Sequence, residues 1–414
     1  MDQTLFAFVF LLGFFESLGF RRTCLKVSHQ SRHCMRALSM MTTAPTRSTS
    51  TESLSSPTGG DEIPLSTRVK TAMSKKFSKD EGDVSRVIQC WDNFVAGQKL
   101  KRYIDVDTSA SPSSPTSRFS ETSKQIYQTA DCYVDGLRAV PFYDVTEFSW
   151  AKSLENKWET IKEELVAYEA KRRGKDVKRK SKTKLMETDY IQQIVPTGDG
   201  EEGDGNWLGP RDTSGTDYGP EWKTLGLQDR SLWAPEMTNE FPKTMQILKS
   251  AKVPSCEVFF AKQGAKSGLK PHSDKNNFIM TCHLGLDIPS SADKEDEACY
   301  ITVGNEEYHW KNGETCIFDT SIFHSTENQS DRIRYVLLIR FWHPDLTELE
   351  IRAFKFIFEY LDAAALGDDA LQSFEMDILR GKDQHQGMKT DLDVKEGMVK
   401  KKKTKKSSGG GGFG

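Results

Sequence analysis

His272 and Asp274 stand one residue apart in the stretch LKPHSDKNNF, residues 269–278. His324 follows fifty positions after Asp274, and Arg334 lies ten positions further on. Two imidazoles and one carboxylate can bind one face of a metal ion and leave the opposite positions open, as in non-haem Fe(II) oxygenases. A guanidinium can hold a carboxylate through two hydrogen bonds. The four residues therefore predict a metal site with an arginine that anchors an acidic co-substrate.

Each of these residues also has an ordinary structural interpretation. A His-x-Asp pair occurs in many polar surface loops, His324 could satisfy a loop carbonyl, and Arg334 could pair with Asp319 or Asp331. All the candidates, however, lie at or near the edges of predicted strands, where residues distant in sequence can meet in a β-barrel. We therefore favour the metal site over coincidence.

The region that must position these residues has the pattern of short β-strands separated by turns. Between residues 256 and 343 lie the strand-like runs CEVFFA, FIMTCHLGLDI, ACYITV, EEYHW, ETCIFD and IRYVLLIRFW. Gly304-Asn305 and Asn312-Gly313 supply turns between them. Many short strands at this spacing predict an α+β protein whose core is mainly β, a sandwich or barrel with helices packed in front.

Helices are predicted on both sides of this β-region. Apolar residues recur along one helical face at 82–98, and again at 153–165, where Trp158 joins Trp150 as a core candidate. Further helices are predicted at 120–137, at 240–251 and from 350 to about 380, and a Ser/Pro/Thr-rich linker at 107–118. The charged run at 171–184 indicates a solvated helix end or loop rather than a nucleic-acid site.

Several residues near the site have two interpretations. The Gly/Asp/Pro-rich stretch 196–221, which contains Trp207, is typical of disorder or of a lid, and we favour disorder. Arg340 shares a strand face with Arg334, so it could contact an anionic substrate or form a salt bridge at the rim. Trp342 and His343 are predicted to be structural, because Pro344 ends the strand.

Composition excludes several classes of function. The net charge of −3 gives no general reason to expect nucleic acid or an anionic membrane as a partner. The eight cysteines form no CxxC pair, which argues against a thiolate zinc site and against a disulfide-stapled scaffold.

The N-terminus has the pattern of a targeting segment. Residues 4–20 are apolar but short for a bilayer span, and 17–51 are basic, Ser-rich and free of acidic residues. Phe20 resembles the phenylalanine of bipartite presequences that lead into plastids of secondary origin. A signal anchor, or retention in the endoplasmic reticulum through residues 4–20, is the competing interpretation. A membrane would be a partner only if this apolar segment is retained.

These patterns predict a division of the chain into five parts. The predicted parts are a targeting presequence at 1–60, a helical and linker region at 61–138, a catalytic domain at 139–350, C-terminal helices at 351–382 and a disordered basic and Gly-rich tail at 383–414.

Four quoted stretches resemble the aspartyl/asparaginyl β-hydroxylase family: PFYDVTEFSWAKSLENKWETIKEEL, PHSDKNNFIMTCHLGLDIP, WKNGETCIFDTSIFHSTEN and RIRYVLLIRFWHPDLTELE. The resemblance implies a double-stranded β-helix (a jelly-roll, cupin-like barrel) with flanking helices. It also implies a dioxygenase that uses Fe(II), 2-oxoglutarate and O2, with ascorbate as a possible support. In this family His272 and His324 match the iron-binding histidines. Arg334 matches the arginine that pairs with the distal carboxylate of 2-oxoglutarate, and His283 lies near the co-substrate.

Three positions depart from the family pattern or vary within it. Animal peptide hydroxylases of the family have glycine where Asp274 stands, whereas bacterial relatives, including lipid A hydroxylases, have His-x-Asp, so the resemblance favours Asp274 as an iron ligand. Thr281 replaces an arginine that grips the co-substrate, and Ala261 replaces a serine that assists the distal carboxylate. Lys275 or Asn277 are candidates to supply the missing grip.

The expected activity is hydroxylation of an unactivated C–H bond, on Asp or Asn of a peptide or protein, on a small acidic substrate, or on a lipid-linked acyl chain. The changes at Thr281 and Ala261 leave a second hypothesis open, a catalytically weak or inactive β-barrel that binds a partner. The sequence does not indicate the oligomeric state.

Overall fold

A computed structural model describes residues 63–78, 82–105, 125–180, 207–209, 221–289 and 298–380. The predicted presequence, the 107–118 linker, most of 196–221 and the basic tail lie outside these ranges. No helix in the described part of the chain is long and apolar enough to cross a membrane.

Two antiparallel sheets and a separate hairpin form the β-structure of the described residues. The strands are β1 (Leu100–Asp105), β2 (Gln125–Ala130), β3 (Trp222–Asp229), β4 (Leu232–Trp233), β5 (Ser255–Gln263), β6 (Ser267–His272), β7 (Ile279–Asp287), β8 (Cys299–Val303), β9 (Glu306–His309), β10 (Thr315–Phe318), β11 (His324–Asn328) and β12 (Arg334–Trp342). Strands β1 and β2 form the hairpin, and the larger sheet has the order β10-β7-β12-β5-β3-β4. The smaller sheet has the order β6-β11-β8-β9. The two antiparallel sheets match the expected double-stranded β-helix, and the α+β class with a mainly β core is confirmed.

The central strands β5, β7 and β12 are buried on both faces, which explains their nearly continuous apolar sequences. Alternate residues point to opposite faces of a strand. On β5 and β12 one set packs against the helices, and this set is Val258, Phe260, Leu337 and Ile339. The other set lines the interior of the barrel, and this set is Phe259, Ala261, Val336 and Leu338.

Helices cover the outer face of the larger sheet and one end of the barrel. They are α1 (Leu65–Lys76), α2 (Ser85–Val95), α3 (Ser149–Glu155), α4 (Trp158–Lys180), α5 (Pro235–Glu240), α6 (Pro242–Ser250), α7 (Glu348–Leu366) and α8 (Asp368–Leu379), with a 3-10 turn at Val145–Glu147. Helices α3 to α6 bury their apolar sides on the larger sheet. Helices α1, α2, α7 and α8 form a second core with Phe278 and Trp342, where Thr347 and Glu350 make a reciprocal cap at the start of α7.

The structure corrects two of the predicted helices. Residues 125–130 of the predicted helix 120–137 form strand β2, paired with β1. Ile126, Ala130 and Val134 recur at four-residue steps, which resembles a helical face, but burial also alternates from Ile126 to Gln128 to Ala130, as in a strand. The predicted helix 153–165 is two helices, because α3 ends at Glu155 and α4 begins at Trp158. The helix predicted at 240–251 largely matches α6, and the C-terminal helices match the prediction.

Gly285 on β7 should tolerate no side chain. A Cβ atom built there would lie 2.1 Å from the carbonyl oxygen of Lys311, which is backbone and cannot rotate away. We expect Gly285→Ala to lower the free energy of unfolding by about 1–3 kcal/mol, measured by urea denaturation. Gly209→Ala is the matched control, because an added Cβ meets nothing within 4 Å there. Equal stability of the two variants would contradict the close approach at Gly285.

Candidate metal centre

The two candidate histidines face each other across neighbouring strands. His272 ends β6 and His324 begins β11, and the register of the two strands pairs them directly. Their ring centroids lie 4.3 Å apart. His272 Nδ1 lies 2.7 Å from the Lys270 carbonyl oxygen, and His324 Nδ1 lies 3.0 Å from the Ile322 carbonyl oxygen. A carbonyl only accepts a hydrogen bond, so each Nδ1 is protonated and each Nε2 carries the lone pair that can bind a metal.

Asp274 completes the cluster. One ligand atom from each of His272, Asp274 and His324 lies within 4.8 Å of the other two. The backbone N–H of Asp274 donates to the Thr320 carbonyl at 2.9 Å, which holds the loop against the segment that precedes His324. Burial is the largest single effect and acts to raise the pKa of Asp274. The charges of Arg340, His324 and His272 and a hydrogen bond from Thr320 together outweigh it and keep the carboxyl pKa below its usual range.

This donor set fits a divalent transition metal. Burial is the main cause that lowers the pKa of His324 to about 4, so the imidazole is neutral and its lone pair is available at neutral pH. Two imidazoles and one carboxylate on one side are the ligands of the facial triad that suits Fe(II). Within the described ranges this is the only group of at least three His, Cys, Asp or Glu side chains arranged to hold a metal ion.

The loop that carries Asp274 is braced by the residues that follow β2. The Ser273 hydroxyl donates to the Thr129 carbonyl at 2.9 Å, and the Lys275 carbonyl accepts from the backbone N–H of Asp131 at 2.8 Å. The Asn277 amide makes two hydrogen bonds to the backbone of Val134. The side chain of Asn277 is therefore occupied by the Val134 backbone, and the side chain of Lys275, the other candidate, is exposed.

Arg334 lies inside the barrel at the start of β12, with only 2% of its surface exposed. Its Nη2 donates to Gln263 Oε1 at 2.7 Å, and its guanidinium carbon lies 3.9 Å from the centroid of the Trp310 ring. Nε and Nη1 have no hydrogen-bond partner among the described residues. Burial lowers the pKa of Arg334 to about 10, so it stays charged at neutral pH.

The alternative in which Arg334 pairs with a nearby aspartate is wrong. Asp319 accepts hydrogen bonds from the backbone and hydroxyl of Ser321, and Asp331 pairs with Lys266 at 3.3 Å. None of the described carboxylates forms an ion pair with Arg334. A buried, charged guanidinium with unused donors is suited to an acidic ligand that enters from outside.

His283 lies beside this arginine and shares its aromatic support. The imidazole stacks on Trp310 with ring centroids 5.6 Å apart, and it meets Phe318 edge-on at 5.0 Å. Its Nδ1 has no hydrogen-bond partner in the described structure. Burial, followed by the charge of Arg334, lowers the pKa of His283 well below its usual range, so the ring is neutral. Trp310 thus supports both residues expected near the co-substrate.

Arg340 forms its ion pairs inside the barrel rather than at the rim. It is 8% exposed, and its Nη2 lies 3.3 Å from Asp274 Oδ2 while its Nη1 lies 3.3 Å from Glu257 Oε2. On the strands beside it, Glu257 and Thr281 are its register partners. Ala261 lies further along β5, opposite Val336.

Trp342, His343, Trp150 and Trp158 have structural positions, as predicted, whereas Trp207 is buried in a core instead of belonging to the disordered stretch or lid that the sequence favoured. Trp342 stacks on Phe354 in the helical core, and His343 lies 3.0 Å from the Tyr143 hydroxyl. Trp207 donates from Nε1 to Glu169 and packs on the outer face of the larger sheet, so it does not cover the metal cluster. Trp150 is buried in the same core and Trp158 is packed against it.

Sequence reasoning missed Gln263, Trp310 and Glu257. The two-residue period of a strand could have indicated two of them. Glu257, Ala261 and Gln263 are separated by even numbers of residues, so they lie on the same inner face of β5. Trp310 follows strand β9, and nothing in the sequence shows that it lies beneath Arg334.

Comparison with known proteins identifies the region that holds this cluster. Residues 155–344 match the family model described as Aspartyl/Asparaginyl beta-hydroxylase. Residues 155–344 are therefore similar to the aspartyl/asparaginyl β-hydroxylase family. Within that family pattern Thr281 departs from the expected arginine, and the structure places Arg340 directly across from it on the neighbouring strand.

Individual relatives of the β-hydroxylase family are similar at modest identity. The aspartyl/asparaginyl beta-hydroxylase of Homo sapiens is 26% identical over 235 residues, which are 55% of this chain and 26% of that protein. The ornithine lipid ester-linked acyl 2-hydroxylase of Rhizobium tropici is 26% identical over 204 residues, which are 49% of this chain and 61% of that protein. The matches thus span less than two thirds of either relative. A Cupin 2 conserved barrel domain protein from Salinispora arenicola CNS-205 overlaps 36% of this chain and 94% of its own, with 8% identity and a TM-score of 0.21.

His283 should make the fold sensitive to mild acid. Its pKa in the folded protein lies below the usual 6.5, so the unfolded chain takes up a proton first, and stability is lost as the pH falls through 6.5. Between pH 7.5 and 5.5 this residue should remove about 1.4 kcal/mol from the free energy of unfolding. Urea denaturation of metal-free wild type and His283→Gln at both pH values measures the difference. If both proteins lose the same stability, the buried neutral state of His283 is refuted.

Proposed function

We propose that this protein is an Fe(II)- and 2-oxoglutarate-dependent dioxygenase that hydroxylates an unactivated C–H bond. The observation that carries the proposal is the convergence of His272, Asp274 and His324 within 4.8 Å. The buried charge of Arg334, without a carboxylate partner among the described residues, supports an acidic co-substrate in the same barrel.

In this proposal each residue of the chain has a defined task. The Lys270 and Ile322 carbonyls fix the two imidazoles so that both Nε2 atoms can bind iron. Iron, when bound with 2-oxoglutarate, supplies the activation of O2 that the side chains alone cannot perform. The barrel holds the reactants in place and keeps bulk water away, because His272, His324 and His283 are all buried.

The co-substrate would occupy the interior between the metal cluster and Arg334. Arg334 would bind its distal carboxylate through the Nε and Nη1 donors, and Gln263 and Trp310 would hold the guanidinium in place. Phe259, Ala261, Val336 and Leu338 give this interior an apolar wall that suits the methylene groups of a dicarboxylate. His283 would lie beside the same ligand.

The candidate substrates are those of similar hydroxylases. The names of two relatives give two candidates, Asp or Asn side chains in a peptide or protein and an acyl chain of a lipid. We propose the peptide or small acidic substrate first, and the lipid-linked acyl chain as the alternative. A plastid address through residues 1–60 is part of the same proposal, and it makes secreted peptide modules poor candidates.

His324→Ala should abolish turnover, because it removes one of three metal ligands from a buried site. The measurement is succinate formation from 2-oxoglutarate with added Fe(II) and ascorbate, and we expect a loss of at least about 100-fold. His309→Ala is the matched control, since His309 pairs with Glu307 on strand β9, away from the cluster. Mass spectrometry for a product heavier by one oxygen, in lysates incubated with wild type or Asp274→Ala, would identify the substrate class.

A barrel that only binds a partner predicts the opposite result. Wild type would then form no succinate above the His324→Ala background, with or without lysate. That outcome would refute the enzyme and favour the catalytically inactive binding module.

Gln263→Glu should weaken binding of 2-oxoglutarate. A carboxylate at this position would lie at hydrogen-bond distance from Arg334, neutralise its charge and repel the carboxylate of the co-substrate. We expect the Kd for 2-oxoglutarate to rise about 10- to 100-fold, measured by calorimetry on the Mn(II)-loaded protein. Gln329→Glu, on the exposed surface, is the control for an added charge. An unchanged Kd would show that Arg334 is not the anchor of the co-substrate.

A further inference from the structure

The Arg340 guanidinium lies between two carboxylates inside the barrel. Its Nη2 is 3.3 Å from Asp274 Oδ2, and its Nη1 is 3.3 Å from Glu257 Oε2. Glu257 is fully buried, and the side chain of Asp274 is 17% exposed. The carboxylate of the metal cluster is therefore linked through one arginine to a second, deeper carboxylate.

The strand register makes this arrangement. Arg340 on β12 is paired with Glu257 on β5 and with Thr281 on β7, so the three side chains project from the same face of the sheet. Thr281 is short and leaves the long arginine side chain room to extend towards the loop that carries Asp274. A bulkier residue at 281 would compete for this space.

We propose that Arg340 is a positioning residue of the metal centre. It holds one oxygen of Asp274, so that the other oxygen stays turned towards His272 and His324, and Glu257 fixes Arg340 from the opposite side. This inference rests on the metal site of the proposed function, and it assigns to Arg340 and Glu257 a task that neither the sequence nor the relatives indicate.

A positive charge near a metal site has a second, opposing effect. Arg340 also repels a divalent cation through space, and this repulsion is present whether or not Asp274 is there. The affinity of a single Arg340 variant therefore mixes the two effects. A double-mutant cycle separates them, because only the positioning effect depends on Asp274.

The experiment measures Co(II) affinity by calorimetry and visible absorption for wild type, Asp274→Ala, Arg340→Met and the double variant of the full chain. We expect Asp274→Ala to weaken Co(II) binding by about 100-fold when Arg340 is present. In the Arg340→Met background, Asp274→Ala should weaken Co(II) binding by a factor that is at least about 10-fold smaller. The reason is that the Asp274 carboxylate is no longer held towards the imidazoles in that background.

Arg334→Met is the matched control for this cycle. Arg334 is also a buried arginine on the inner face of β12, but it contacts Gln263 and not Asp274. We expect no coupling between Arg334→Met and Asp274→Ala. Arg340→Lys should retain part of the coupling, because an ammonium keeps the charge but cannot bridge both carboxylates.

Arg340→Met removes the cation that pairs with the buried Glu257, so this variant is the one most at risk of not folding. The cycle is then repeated in the Glu257→Gln background, which replaces the buried acid with a neutral amide of the same size, and circular dichroism checks that each variant is folded. A coupling below twofold in either background would overturn the positioning task of Arg340. If wild type binds no Co(II), the metal site fails and the proposed function fails with it, whereas binding without coupling refutes only this inference.

Discussion

The register between β6 and β11 is the constraint on which the metal cluster depends. It pairs His272 with His324, so that both imidazoles enter the barrel at the same level. A slip of one residue would turn one of the rings to the other face of the sheet. Two sets of contacts stabilise this register. The carbonyl oxygens of Lys270 and Ile322 accept hydrogen bonds from Nδ1 of His272 and His324. Gly268 also packs closely on the Thr326 carbonyl oxygen, which would lie 2.6 Å from a Cβ atom at position 268.

The third candidate ligand needs a different kind of support, because Asp274 lies in a loop rather than in a strand. The segment 129–134 supplies it through hydrogen bonds to Ser273, Lys275 and Asn277. Lys275 has a φ of 60°, a conformation that costs energy for a residue with a side chain and persists only where neighbours fix it. The β1–β2 hairpin that leads into this segment therefore belongs to the metal site in a structural sense.

The sequence alone indicated the residues of the candidate site better than the hydrogen-bonded segment that holds them. The spacing of His272, Asp274, His324 and Arg334 indicated the site, and the apolar runs indicated β5, β7, β8, β10 and β12, because strands buried on both faces are strongly apolar. Strands β6 and β11 were missed because SGLKPH and HSTEN have few apolar residues, and the pairing of their backbones holds them in place. Strand β2 was misread as a helix because its fourth-residue apolar repeat fits both periods. Backbone pairing between strands that are distant in the chain leaves no local pattern in the sequence.

The two buried arginines of β12 show how one strand serves two purposes. Arg340 lies beside two acidic side chains of the chain, Asp274 and Glu257, so the protein itself supplies its acidic partners. Arg334, six residues along the same face, has only neutral neighbours in Gln263 and Trp310. A buried charge without an anion costs several kcal/mol of folding stability. The acidic co-substrate of the proposed function would offset that cost, because its carboxylate would pair with the Arg334 guanidinium.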